Sequence, residues 1–134
     1  MGVPAERDLP TLLSTLDVVR RPGTFVYVQR PPGAEAPAGV RAMIDEGTST
    51  TYVVDIDSAP GAPFRAAWLT LTVHSALEAV GLTAAVAGAL AAVGIPANVL
   101  AGYDHDHLLV PEELADDAIA AIRNLSGGSP AAAP

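Results

Sequence analysis

All three histidines of the chain, His74, His105 and His107, fall within residues 68–111, in company with Ser75, Glu78, Tyr103, Asp104 and Asp106. An imidazole titrates near neutrality and a carboxylate stays charged there. Such a set can move a proton, hold an ammonium group or ligate a metal. Asp104-His105-Asp106-His107 carries donors of the kind zinc or nickel accepts. Along an extended segment, however, alternation sends His105 and His107 one way and the two aspartates the other. Asp and His are also ordinary turn residues, so no metal is assigned. A nucleophile is harder to find. The sequence has no G-x-S-x-G, no P-loop, no dinucleotide fingerprint and no cysteine. Ser75 directly follows His74, and neighbouring strand residues point to opposite faces, so the two do not form a base–nucleophile pair. Glu78 near His74 is the one acid–base arrangement on offer. The expectation is a protein that is not an enzyme, with no catalytic residue and no cofactor.

The elements that must position these residues are legible from periodicity. Residues 65–74 alternate as a strand, with Leu69, Leu71 and Val73 on one face and Trp68, Thr70, Thr72 and His74 on the other. Ser75 to Gly81 connects this strand to a helix over about 82–93, whose stripe is Leu82, Val86, Leu90 and Val93 and which Gly94 ends. Residues 96–102 form the next strand, Tyr103-Asp104-His105-Asp106 a hairpin turn, and residues 107–110 the return strand. Pro111 then opens a last helix with Glu112 and Glu113 at its positive end and Arg123 at the other. Upstream, residues 8–20 read as a short helix capped by Asp8 and stopped by Pro22-Gly23. Residues 24–30 and 49–57 read as strands, 31–39 as a Pro/Gly loop, and 40–46 as either a strand or a helical turn.

The second half therefore runs β-α-β-β-α, a split βαβ pattern that lacks its final strand. That strand comes either from the first half or from a second copy of the chain. Trp68 lies on the sheet face away from the helices. Since an indole is costly to leave in water, the first half or a second subunit should cover it.

The 134 residues suffice for one compact unit. The formal net charge is −8, without a single Lys, so nucleic acid and anionic membranes are disfavoured as partners. The uncharged run from Ala79 to Tyr103 is long enough to span a bilayer, but Gly94-Ile95-Pro96 divides it into halves too short to do so. With no signal peptide and no cysteine, the expected location is cytoplasmic.

The run WLTLTVHSALEAVGLTAAVAGALAAVGIPANVLAGYDHDHLLVP resembles the ACT-domain family, in particular small bacterial tandem ACT-like proteins with no enzyme attached. The resemblance implies an α+β, ferredoxin-like, ACT-like fold in two interlocked halves. The N-terminal half, residues 1–60, is incomplete and supplies strands. The C-terminal domain spans 64–126, and 127–134 is a disordered tail. It also implies non-catalytic, regulatory binding of a small-molecule metabolite such as an amino acid, at interfaces between paired domains, and a homo-oligomer. The alternative is a protein-interaction or self-association module without a small ligand.

In such a sheet the end of the first strand and the hairpin lie at the same end. His74, His107 and Tyr103 should then gather beside the Ser75–Gly81 connection, where ACT domains hold their ligand. Backbone amides at Gly81 and Leu82, at a helix start, would hold a carboxylate. Asp104, Asp106 or Glu78 would hold an ammonium group, with Ser75 at the connection and His74 and His107 setting the polarity.

Overall fold

A computed structural model of the chain describes residues 5–76 and 79–127. Glu78 and residues 128–134, where the tail was expected, lie outside the described residues. The elements in chain order are α1 (Leu9–Ser14), β1 (Val18–Arg30), β2 (Val40–Asp45), β3 (Thr50–Asp55), β4 (Ala66–Leu71), α2 (Leu82–Ala92), β5 (Asn98–Ala101), β6 (Asp106–Pro111) and α3 (Ala115–Arg123). The strands form one six-stranded antiparallel sheet in the order β2-β3-β1-β4-β6-β5.

The first helix is shorter than its sequence suggested. Asp8 caps α1 through the amide of Thr11, as expected, but the helix stops at Ser14. Val18 and Val19, β-branched and stiff, already belong to β1. Pro22-Gly23 does not end a helix. It is a bulge inside one long strand, falling where the β1–β4 register slips between Arg21 and Phe25. Pro22 has no N–H to lose from the ladder, and Gly23, at φ 103°, takes a conformation other residues resist. Before the bulge, Val18–Arg21 pair with Leu71–Trp68 of β4; after it, Phe25–Arg30 pair with Asp55–Thr50 of β3. The fourth strand of the C-terminal half is thus supplied by β1 of the same chain. The ambiguous segment 40–45 is an edge strand.

Alternation along the strands sorts side chains into two layers. Leu69, Leu71, Leu108, Val110 and Val18 face the helices, where Leu12, Leu82, Val86, Leu90 and Ile122 meet them. Burying each such side chain stabilises the fold by about 1.5–3 kcal/mol. Val93 was expected in this stripe but is exposed; the chain turns at Gly94, and Ile95 fills the place instead. On the far face, Trp68, Phe25, Val53, Ala66 and Leu109 form a second cluster with Tyr27, Ala42, Phe64 and Leu100 beside it. Ala42 belongs to β2 and Leu100 to β5, the two edge strands. The sheet coils far enough for both edges to flank Trp68, which is 3% exposed. Its cover comes from the sheet itself. Farther along β1 and β3, Val26, Tyr52 and Val54 are covered by Ile56, Ala59 and Ala62.

Asp17, just before β1, takes a 2.8 Å hydrogen bond from Nε of Arg123 at the end of α3. That bond, with the Val18 amide, holds the Asp17 carboxyl below its usual range. Because the folded-state pKa is depressed, the contribution is present above the unfolded pKa and lost as pH falls through the folded one. Both side chains are largely exposed, so Arg123→Gln should lower stability at neutral pH by less than about 1 kcal/mol. The deficit should vanish on acidification through the Asp17 titration, as urea unfolding at stepped pH will read.

Candidate functional site

The connection between β4 and α2 leaves the sheet before the helix begins. β4 pairs with β6 only as far as Thr70↔His107, and it ends at Leu71. Two residues beyond Val73 the chain makes a parallel bridge to Glu6, whose amide donates to the His74 carbonyl and whose carbonyl accepts from Ala76. Ser75 is thereby pulled under the first turn of α2. It is 8% exposed and is the one buried polar residue among the described residues. Gly81 begins the helix at φ 102°, with no side-chain cap, and a Cβ there would come within 2.8 Å of Leu9 Cδ2. A hollow of about 90 Å3 opens here, lined by Ser75, Ala79, Leu82, Thr83, Gly102 and Asp106 among others. The Ser75 hydroxyl faces Asp106 Oδ2 at 3.5 Å, long for a hydrogen bond. The hollow therefore combines a helix N-terminus, a weakly engaged hydroxyl and a carboxylate.

Of the residues singled out from sequence, Ser75, Leu82 and Asp106 line this hollow, and Gly81 forms the helix start behind it. His74 lies beside the hairpin: Nε2 is 3.6 Å from Asp104 Oδ1, and its ring centroid is 6.0 Å from that of His105. Tyr103 is 84% exposed at the hairpin tip. His107 goes elsewhere. Its register opposite Thr70 places it on the coiled, helix-free face, where Nδ1 meets Trp68 Nε1 at 3.2 Å and Thr70 Oγ1 at 2.9 Å. No hydrogen bond or ring contact links His74 to His107, because one sits past the end of the ladder and the other inside it. Among the described residues no cluster of three or more His, Asp or Glu side chains is arranged to hold a metal ion. No helix among them is long and apolar enough to cross a membrane.

The partners of His107 settle its tautomer. An indole N–H can only donate, so Nδ1 must be the acceptor and the neutral ring carries its proton on Nε2. Burial lowers the pKa of this imidazole, nearby Arg21 and His105 add to the effect, and Asp106 opposes it. Sequence reasoning missed Arg21, which lies over the Trp68 ring with its guanidinium carbon 4.3 Å from the centroid. Trp68, Arg21 and His107 become neighbours only through strand register, which a single sequence does not print.

The ACT domain family is matched twice, by residues 64–124 and by residues 4–67. Among solved structures, a Vibrio cholerae protein of unknown function, described as a possible transport protein, is 36% identical. That alignment covers 88% of this chain and 95% of that one, with a TM-score of 0.76. An Agrobacterium tumefaciens protein is 19% identical over 83% of this chain and 89% of that one, at TM-score 0.64. The aspartate kinase of Clostridium acetobutylicum is 11% identical over 84% of this chain and 34% of the kinase, at TM-score 0.61. The last two likenesses are of fold. No curated protein matches the sequence.

Because the folded-state pKa of His107 lies below the unfolded value, the unfolded chain binds its proton first as pH falls. Stability should therefore drop between the unfolded value, about 6.5, and the lower folded one. Protonating Nδ1 also removes the acceptor for the indole. Emission of Trp68, the only Trp, should change with a midpoint below about 6.5. His107→Gln should abolish that acid-side change.

Proposed function

From a chain that belongs to the ACT-domain family and carries two such domains in one sheet, we infer a non-catalytic regulatory module that binds a small amino acid at the start of α2. ACT domains generally bind small metabolites such as amino acids. The observation that supports the reading here is the hollow in which the N-terminus of α2, the Ser75 hydroxyl and the Asp106 carboxylate converge. The helix amides suit a carboxylate. Asp106 suits an ammonium group. At about 90 Å3 the hollow is well below the roughly 300 Å3 at which ordinary ligand pockets begin. That favours glycine, alanine or serine over larger amino acids. The non-catalytic part of the reading is supported by the poor geometry for chemistry: Ser75 faces a carboxylate at 3.5 Å, and His74 faces the hairpin.

Calorimetry against the common amino acids tests this. Heat should appear for the smallest ones, and Asp106→Asn should weaken binding about tenfold or more, since it removes a charge-assisted bond. No heat with any amino acid would overturn the reading.

A second reading, self-association, is favoured by one observation. Edge strand β2 exposes Val40, Met43 at 60% and Ile44 at 41%. An unpaired edge with apolar side chains is a template for another strand. Light scattering after size exclusion should return twice the chain mass. Met43→Lys together with Ile44→Lys should return a monomer.

A further inference from the structure

The coiled face of the sheet holds a second hollow, of about 290 Å3, on the side away from the helices. Arg21, Arg41, Trp68, Leu100, Gly102 and His107 line it, with Ala42 and Ala101. Its floor is the buried indole of the chain's only Trp. Its walls come from β2 and β5, the two ends of the sheet.

The polar side chains that line it, Arg21, Arg41, Trp68 and His107, all present N–H donors. Arg21 rests on the indole, and no carboxylate pairs with it among the described residues. A guanidinium held against an aromatic face stays charged and keeps its edge free for planar anions. Arg41 donates from Nε and Nη2 to Asp55, the latter bond at 2.8 Å. Asp55 offsets that charge, but it fixes the fork and leaves other N–H groups to bond elsewhere. His107 keeps Nε2–H free, because Trp68 and Thr70 engage Nδ1. Nε2 lies against Gly102, where a Cβ would stand 3.1 Å away. In a protein of net charge −8, the positive charge here comes from Arg21, while Arg41, offset by Asp55, and the neutral His107 ring add N–H donors.

The backbone is arranged around the same spot. Arg21 is the last paired residue before the β1 bulge, and Arg41 is the extra residue where β2 slips between Val40 and Ala42 against β3. Bulges bend strands and re-aim side chains, and they are common beside binding sites. Here the bulge in β2 brings Arg41 to the hollow that Arg21 reaches from its register opposite Trp68.

We propose that this hollow binds a small organic carboxylate with a flat apolar body, gripped by Arg21, Arg41 and His107 Nε2–H. Ala42 and Leu100 contact the body, above the buried indole. The volume, about 290 Å3, is close to the roughly 300 Å3 lower end of ordinary small-ligand pockets and suits a single-ring compound. The site lies on the opposite face of the sheet from the amino-acid hollow and does not depend on it.

Benzoate is the probe, benzamide its neutral match and inorganic phosphate the compact anion. Calorimetry on the full chain should show saturable benzoate binding, with a parallel change in Trp68 emission. Arg21→Gln and Arg41→Gln should each weaken it about tenfold or more, as loss of a charge-assisted hydrogen bond does. Benzamide should give no heat, a comparison that needs no variant to fold. Phosphate should bind at least about tenfold more weakly, having no apolar body for the walls. Thr83→Leu, which narrows only the other hollow, should leave benzoate binding unchanged. The proposal is overturned if benzoate gives no heat up to about 10 mM, if benzamide or phosphate binds as well as benzoate, or if Thr83→Leu abolishes the response.

Discussion

The structure depends on one strand serving two partners. β1 pairs with β4 over its first residues and with β3 over its last, and the change of partner happens at Pro22-Gly23. Buried backbone amides and carbonyls must be paired. Without β1, the inner edge of β4 would lie open, and β2 and β3 would be a two-stranded hairpin, which is marginal in water. Neither half is complete alone. The bulge is what lets a strand this long turn from one half of the sheet into the other without breaking either ladder.

The same coiling makes the two faces of the sheet unequal. The helices bury the face carrying Leu69 and Leu108 in the ordinary way for an α+β fold. The other face has no helix. It closes on itself, with Phe25 edge-on to Trp68 at 5.5 Å between centroids and Arg21 across the indole. A flat sheet would leave that indole in water. Right-handed twist accumulated over six strands, sharpened by bulges in β1 and β2, brings both edges to it.

The end of β5 is the wall between the two hollows, since Ala101 and Gly102 line both. Across the hairpin, Asp106 faces one and His107 the other, the direct result of alternation along β6. Gly102 is required by space rather than by backbone angle. A Cβ there would meet the His105 carbonyl oxygen at 2.7 Å, so the hairpin could not close this tightly around any other residue. One short hairpin thus carries a carboxylate to the helix side and an imidazole to the coiled side.

Much of this was determined by the sequence alone. Periodicity marked β3, β4, α2, β5, β6 and α3, the β-α-β-β-α order required a strand from elsewhere, and the long run from Trp68 to Pro111 pointed to the ACT fold. Ser75, Leu82 and Asp106 could be placed near a helix start because each lies within a few residues of a readable boundary. What the tertiary structure decided was everything that depends on register between distant strands. It showed that Pro22-Gly23 is a bulge and not a stop, because a Pro/Gly pair interrupts a helix and a ladder alike and only the partner strands tell which. It separated His74 from His107, because β4 leaves the sheet after Leu71 to meet Glu6. It brought Arg21 to the indole through strand register and Arg41 to the same hollow through sheet curvature, a sum over six strands that no local stretch of residues encodes.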